Sequence, residues 1–313
     1  MSVLPKLYGH SLQVESLKKA MDGQRFPHAW IFSGPKGIGK NLAALHCAHH
    51  IFSQNDAPEA IAQKMQVGAY PDFLVVAPSL NDKGEQKANI TAEEIRRIND
   101  FVQQTTLAQK WRVILIDGAD LMNRHASNAL LKVLEDPPKY TIFFLVTHNK
   151  GELLQTIISR CQILHFKPVS LQDFRNILDV DDVTAADLYQ IIGGVPGEAK
   201  DMLDPELGDL IGGLQRRLDK VSSETDLADL YKTMKGFSSS AMHINVLKKI
   251  VLQWAHSIVL EQSGSHLMQH YVTSYEALRN LFDQEKRFSL DRAQTISCIY
   301  FELKTFLTIS KVN

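Results

Sequence analysis

Apolar and polar positions follow two periodicities along this chain, and the change between them falls near residue 168. In the first half, short apolar runs stand out at Ala29–Phe32, Asp72–Val76, Val113–Ile116, Ile142–Thr147 and Ile163–Phe166. Runs of this length, rich in β-branched residues and bounded by polar ones, predict strands buried in a parallel sheet. Between them the spacing turns helical. Leu12–Met21 reads as a short helix ending at Asp22-Gly23, Leu42–Phe52 as a longer one, and Glu59–Gln66 as one or two turns. Thr91-Ala92-Glu93-Glu94 has capping-box spacing ahead of a helix whose buried face is Ile95, Ile98 and Val102. Asn123 is placed to cap a helix with the face Ala126, Ala129, Leu130, Val133 and Leu134, which Pro137-Pro138 ends. The polar stretches Ser53–Pro58 and Asn81–Asn89 are predicted loops. Five strands alternating with helices predict an α/β domain over 1–167, a parallel five-stranded sheet with helices on both faces.

After Pro168 the strand-like runs stop. Leu171–Leu178 and Ala185–Ile192 predict a helical pair, Gly193–Gly197 breaks the chain, and a further helix reaches Leu203, giving a small helical domain over 168–205. From 206 to 313 everything is helical in pattern. One stripe runs Leu247, Ile250, Val251, Trp254 and Ile258, a second Tyr271, Tyr275, Leu278 and Phe282, a third Ala293, Ile296, Tyr300 and Leu303. Such stripes are core faces or a subunit interface.

Bulk properties narrow the class. A length of 313 residues suits two or three domains, and 34 basic against 35 acidic side chains leave no strong field toward nucleic acid. Any DNA contact is then local or supplied by partners; the scattered Arg96, Arg97, Lys110 and Arg112 read first as solvated helix faces and second as a DNA-facing patch. Cys47, Cys161 and Cys298 match no zinc spacing and predict a reducing compartment. With no secretory pattern at the start and no apolar run of spanning length, a cytoplasmic protein that does not enter a membrane is expected.

The chemistry centres on Gly34-Pro35-Lys36-Gly37-Ile38-Gly39-Lys40-Asn41, which sits between a strand and a helix. In that context Gly34, Gly37 and Gly39 let backbone N–H groups converge on phosphate oxygens at a helix N-terminus, and Lys40 reaches the outer phosphates. The following position calls for a Ser or Thr hydroxyl on magnesium, and here it is Asn41. Asp117 ends the third strand, where phosphate-loop ATPases hold magnesium; the other use of such an Asp is as a helix cap or loop residue. The next position, usually a Glu that polarises water, is Gly118, with Asp120 two further on. Thr147 or Asn149 ends the next strand, where a polar group senses the γ-phosphate. Ser159-Arg160-Cys161 closes the helix Leu153–Ile158, which puts Arg160 at the domain's edge and within a neighbour's reach rather than its own; taken alone, such an arginine reads as a solvated or structural one. A trans arginine is worth about 10³–10⁵ in phosphoryl-transfer rate.

Taken together, Phe26-Pro27-His28-Ala29, the loop Gly34 to Lys40, Tyr70-Pro71-Asp72, Ile116-Asp117-Gly118-Ala119-Asp120, the string Asn128 to Pro138 and Ser159-Arg160-Cys161 resemble the clamp-loader branch of the AAA+ ATPases. The resemblance covers about residues 5–205. It implies an AAA+ domain, then a lid domain, then a collar that holds a ring of subunits. It also implies partners: gamma/tau motor subunits, a clamp-opening delta subunit, and through them a sliding clamp and primer-template DNA. Arg160 would complete a neighbour's ATP site. Three departures bear on catalysis: Asn41, Gly118, and Glu198, whose charge would repel the γ-phosphate where motor subunits carry an arginine that contacts it. They imply a non-motor subunit without hydrolysis of its own, in which Gly34, Gly37, Gly39, Lys40, Asn41, Asp117 and Thr147 form a degenerate nucleotide site. On that basis no cofactor is required, ATP and magnesium bind weakly at best, and no zinc is expected, because residues 48–72 hold no cysteine. The competing readings are a hydrolysing motor of the same loader and a nucleotide-binding scaffold outside replication.

Overall fold

The computed structural model describes residues 4–21, 26–53, 58–79, 87–103, 111–220, 224–288 and 291–309. The predicted turn at Asp22-Gly23, most of the loops Ser53–Pro58 and Asn81–Asn89, and Lys110 lie outside them. The chain divides into two units, residues 1–185 with 194–197, and residues 186–193 with 198–313.

In order, the elements are α1 (Ser11–Met21), β1 (Ala29–Ser33), α2 (Lys40–Phe52), α3 (Pro58–Gln66), β2 (Phe73–Val76), α4 (Ala92–Gln103), β3 (Arg112–Asp117), α5 (Arg124–Glu135), β4 (Thr141–Thr147), α6 (Gln155–Ile158), β5 (Gln162–His165) and α7 (Leu171–Leu178). They continue with α8 (Asp182–Ile192), α9 (Pro196–Ala199), α10 (Pro205–Leu218), α11 (Glu224–Lys235), α12 (Ala241–Glu261), α13 (Met268–Phe288) and α14 (Arg292–Thr308).

The five strands form one parallel sheet in the order β2-β3-β4-β1-β5. Because successive strand residues face opposite sides, each strand feeds two cores. Trp30, Phe32, Leu115, Phe144 and Val146 pack against Ala44, Cys47, Ala48 and Ile51 of α2. Ala29, Ile31, Ile114, Ile116, Phe143 and Leu145 pack against Ile95 and Ile98 of α4 and Ala126, Leu130 and Leu134 of α5. β4 is buried at every position, which is why its sequence reads as an unbroken apolar run. The parallel sheet with helices on both faces is as the apolar runs predict.

Two caps fix the ends that matter. The Asn123 side chain accepts the Ala126 N–H at 2.9 Å and starts α5. At α4 only half of the expected capping box forms. Glu94 reaches back to the Thr91 N–H at 2.5 Å, but the Thr91 hydroxyl donates to that same carboxylate instead of accepting from the helix. Burial opposes the Glu94 charge, and hydrogen bonds from Thr91 and Ser79 outweigh it, so its carboxyl sits below the usual range.

The second unit is helical throughout its described residues. Leu247, Ile250, Val251, Tyr271, Leu278, Phe282, Ile296 and Leu303 are buried as their stripes predict. The third stripe needs correction: Ala293, in the first turn of α14, is exposed, while Ile299 and Phe306 take the inward positions. Ser240 caps α12 by accepting the His243 N–H, and Asp291 with Gln294 forms a complete capping box on α14. Among the described residues, no helix is long and apolar enough to cross a membrane.

Candidate functional site

The chain enters the loop from β1, which lies between β4 and the edge strand β5, and leaves it into α2. Gly34 has no room for a side chain, since a Cβ there would lie 2.4 Å from the Phe166 carbonyl oxygen. Gly37 and Gly39 have φ of +82° and +101°, the left-handed region that glycine takes without strain. The loop is also held from outside itself. His10 Nε2 lies 2.8 Å from the Ile38 carbonyl oxygen, and the Gly197 N–H donates to the Gly37 carbonyl at 2.8 Å. That second contact is backbone on backbone, because a Cβ on Gly197 would lie 2.5 Å from Gly37 Cα.

The polar side chains at the loop are turned toward the protein. Lys40 is almost fully buried, and its Nζ donates to the carbonyls of Gly34 and Pro35 at 2.7 and 2.6 Å. Burial pulls its pKa down to about 8 against the opposing pull of Asp120 and Asp117. Asn41 Nδ2 donates to Asp117 Oδ2 at 2.7 Å, so the amide's donor end faces the carboxylate. Asp120 accepts the backbone N–H groups of His148 and Asn149 at 3.1 and 3.3 Å, which makes it a bracket for the end of β4. Of the two candidates at that strand end, Asn149 spends its side-chain oxygen on the Gly151 N–H at 3.0 Å, whereas Thr147 Oγ1 is buried without a partner. Burial, and then Lys40, pull the His148 pKa below its ordinary value, so that ring is neutral at pH 7.

Against magnesium-dependent ATP hydrolysis these residues fit poorly. The glycines keep the shape of a phosphate cradle. Yet the lysine is engaged by loop carbonyls, and the magnesium position is an amide bonded to the carboxylate it would share with the ion. Gly118 has φ of +86° and opens the single 3-10 turn Ala119–Leu121. A Glu there would adopt the left-handed conformation at a cost of roughly 1–2 kcal/mol. Among the described residues no group of three or more His, Cys, Asp or Glu is placed to hold a metal ion.

Glu198 differs from its sequence reading in one respect. Its charge is not an isolated repeller of phosphate, because its carboxylate pairs with Lys249 of α12. Burial lowers the Lys249 pKa, and both residues of the pair belong to the second unit. Arg112 also departs from expectation. It is buried beside Asp72, at 3.7 Å, with Nη1 donating to the Val102 carbonyl at 2.7 Å, so it serves the fold and not a DNA-facing patch. Arg96 and Arg97 are exposed on α4.

Arg160 lies elsewhere in the same unit, between α6 and the edge strand β5. Its Nη1 donates to the Thr156 carbonyl and its Nη2 to Glu135 Oε1, both at 2.9 Å. The side chain remains 35% exposed. None of its described partners belongs to the phosphate loop. Burial pushes the neighbouring Cys161 thiol up to about 12, so that cysteine packs as an apolar group and is not a nucleophile. Glu135 was visible in sequence only as part of the string before Pro137-Pro138. Its pairing across 25 positions, like that of Asn41 with Asp117 across 76, has no sequence signal.

Residues 9–170 match the family model described as DNA polymerase III, delta subunit. Among curated relatives, a delta-prime subunit of DNA polymerase III from Pseudomonas aeruginosa is 36% identical over 43% of this chain and 41% of its own length. A delta-prime subunit from Bacillus subtilis is 32% identical over 54% of this chain and 50% of its own. A gamma subunit from Buchnera aphidicola is 33% identical over 57% of this chain and 46% of its own. The chain thus spans about half the length of these relatives or less. Delta-prime and gamma relatives match it at comparable identity.

Proposed function

This chain belongs to the DNA polymerase III, delta subunit family, and from that premise we propose that it is a delta-prime subunit of the polymerase's clamp loader in DNA replication. In this reading it is a non-motor subunit. Arg160 is extended in trans to the ATP site of an adjacent gamma/tau subunit, and its own degenerate site at Gly34, Gly37, Gly39, Lys40, Asn41, Asp117 and Thr147 turns nothing over. No cofactor is required, and ATP with magnesium binds weakly at most. The three-part division into 1–167, 168–205 and 206–313, with the last as the oligomerising collar, belongs to the same reading. So do the delta subunit, the sliding clamp and primer-template DNA as partners, and a cytoplasmic location.

The observation that carries it is the contrast in one unit between a lysine engaged by its own loop and an arginine fixed at the domain's edge. A guanidinium preset at a developing phosphate charge lowers the barrier without adding a reacting group. The test is DNA- and clamp-stimulated ATP hydrolysis by a reconstituted loader. Arg160→Ala cuts the turnover and Lys40→Ala leaves it intact. The reverse result would identify a hydrolysing motor, the second reading, which the gamma relative favours and the left-handed Gly118 opposes.

A further inference from the structure

We propose that Glu135 is the positioning residue for Arg160, holding the guanidinium in one presented conformation for the triphosphate of a neighbouring subunit. The proposal rests on the trans-arginine reading above and deepens it. Glu135 is the last residue of α5, ahead of Pro137-Pro138, and Arg160 stands two residues beyond α6. Both helices are seated in the same core, through the fully buried Leu130 and Leu134 of α5 and Ile157 of α6, so the two attachment points are fixed relative to each other. From them the side chains meet at 2.9 Å, while the Thr156 carbonyl takes a second N–H of the same guanidinium.

This is a poor device for stability. Glu135 is 55% exposed and Arg160 35% exposed, and ion pairs in such positions contribute little to folding. It is a good device for preorganisation. An exposed arginine samples many rotamers, and two anchors select one before the neighbour arrives, which removes that ordering from the encounter. A guanidinium has five N–H donors, and the two spent on Glu135 and Thr156 leave three for phosphate oxygens. Because the carboxylate is more than half exposed, water replaces the arginine easily when the guanidinium moves onto phosphate.

The test uses the whole reconstituted loader carrying this chain as wild type, Glu135→Ala, Glu135→Gln, Arg160→Ala or the double alanine variant, with kcat and KM for ATP measured for each. Glu135→Ala is expected to remove roughly half or more of the turnover that depends on Arg160, with KM for ATP changed by less than about twofold. Glu135→Gln is expected to retain most of it, since the amide oxygen accepts the same hydrogen bond. In the Arg160→Ala background, Glu135→Ala is expected to change nothing further. Wild-type turnover in Glu135→Ala while Arg160→Ala is impaired would overturn the positioning role alone. So would a loss of equal size with and without Arg160, or a rise in KM at unchanged kcat. No loss from Arg160→Ala would overturn the trans-arginine reading and this proposal with it.

Discussion

The phosphate loop and the arginine corner hang from the same sheet, yet their hydrogen bonding is opposite. At the loop, Lys40 donates to Gly34 and Pro35, Asn41 to Asp117, and Asp120 accepts from the end of β4, so the charged groups are largely satisfied by the protein. At the corner, Arg160 is held by two partners and keeps donors in reserve. A loop can therefore keep the outline of a ligand site after its chemistry has turned inward, whereas a residue that acts on another molecule must stay ordered and unsatisfied at once. The contrast separates shape from function: glycines at 34, 37 and 39 report the fold, and the hydrogen bonds report the use.

The comparison breaks most sharply at Arg160. Replacing it by Lys keeps the charge but loses the fork that meets Glu135 and Thr156 together, and a compact ammonium cannot span two phosphate oxygens. Turnover at the served site is expected to fall by about 10² or more, measured as loader ATPase, with Arg160→Lys close to Arg160→Ala. If lysine restores the rate, charge alone suffices and the geometry at the corner is incidental.

A smaller effect is expected from Gly34→Ala, which drives a methyl group into the Phe166 carbonyl 2.4 Å away. The cost is of the order of 2–3 kcal/mol, read as a drop in chemical or thermal stability, with the loader's ATPase retained once the subunit is assembled. That outcome would separate the loop's structural role from a nucleotide-binding one.

The smallest expected effect is the pH dependence at Lys40. Its pKa is depressed to about 8, so from there up to its unfolded value the unfolded chain holds the proton more tightly than the folded one. Stability then rises with pH across that window, since the unfolded state binds more protons, and the charged lysine costs the fold below it. Comparing wild type with Lys40→Met by denaturant unfolding should show a relative gain on the order of 1–3 kcal/mol between about pH 8 and 10.5. A flat difference would mean that Lys40 is well solvated and free to reach a phosphate.

Much of the first unit is legible in the sequence for a physical reason. A strand covered on both faces has no polar positions to hide it, so β1, β3 and β4 appear as bare apolar runs, and the caps and prolines around α5 are local. The failures were of a different kind. Arg112 looked like one of several surface cations because its partner Asp72 is 40 positions away and becomes adjacent only when β2 pairs with β3. Glu198 looked like a free charge because Lys249 is in another helix. The capping-box spacing at Thr91 names the right residues, but spacing does not say which way a hydroxyl points, and this one donates to Glu94. Ala293 fits the stripe by period alone, and at the start of α14 residues 292–294 are exposed. What sequence withholds here is pairing between elements, and both the loop and the corner are defined by such pairs.

The Gly37–Gly197 contact carries a consequence of its own. The loop's carbonyl is bonded to a backbone N–H in the segment after α8, at a spot where a Cβ on Gly197 would meet the Gly37 backbone. A loop whose outline is the same with and without nucleotide gains no differential free energy when nucleotide arrives, and a ligand with equal affinity for two states shifts neither. In the proposed reading, the shape of this domain is then insensitive to the cell's ratio of ATP to ADP. If the chain is the non-motor subunit proposed above, such a domain is a fixed reference for the motion of the subunits that hydrolyse.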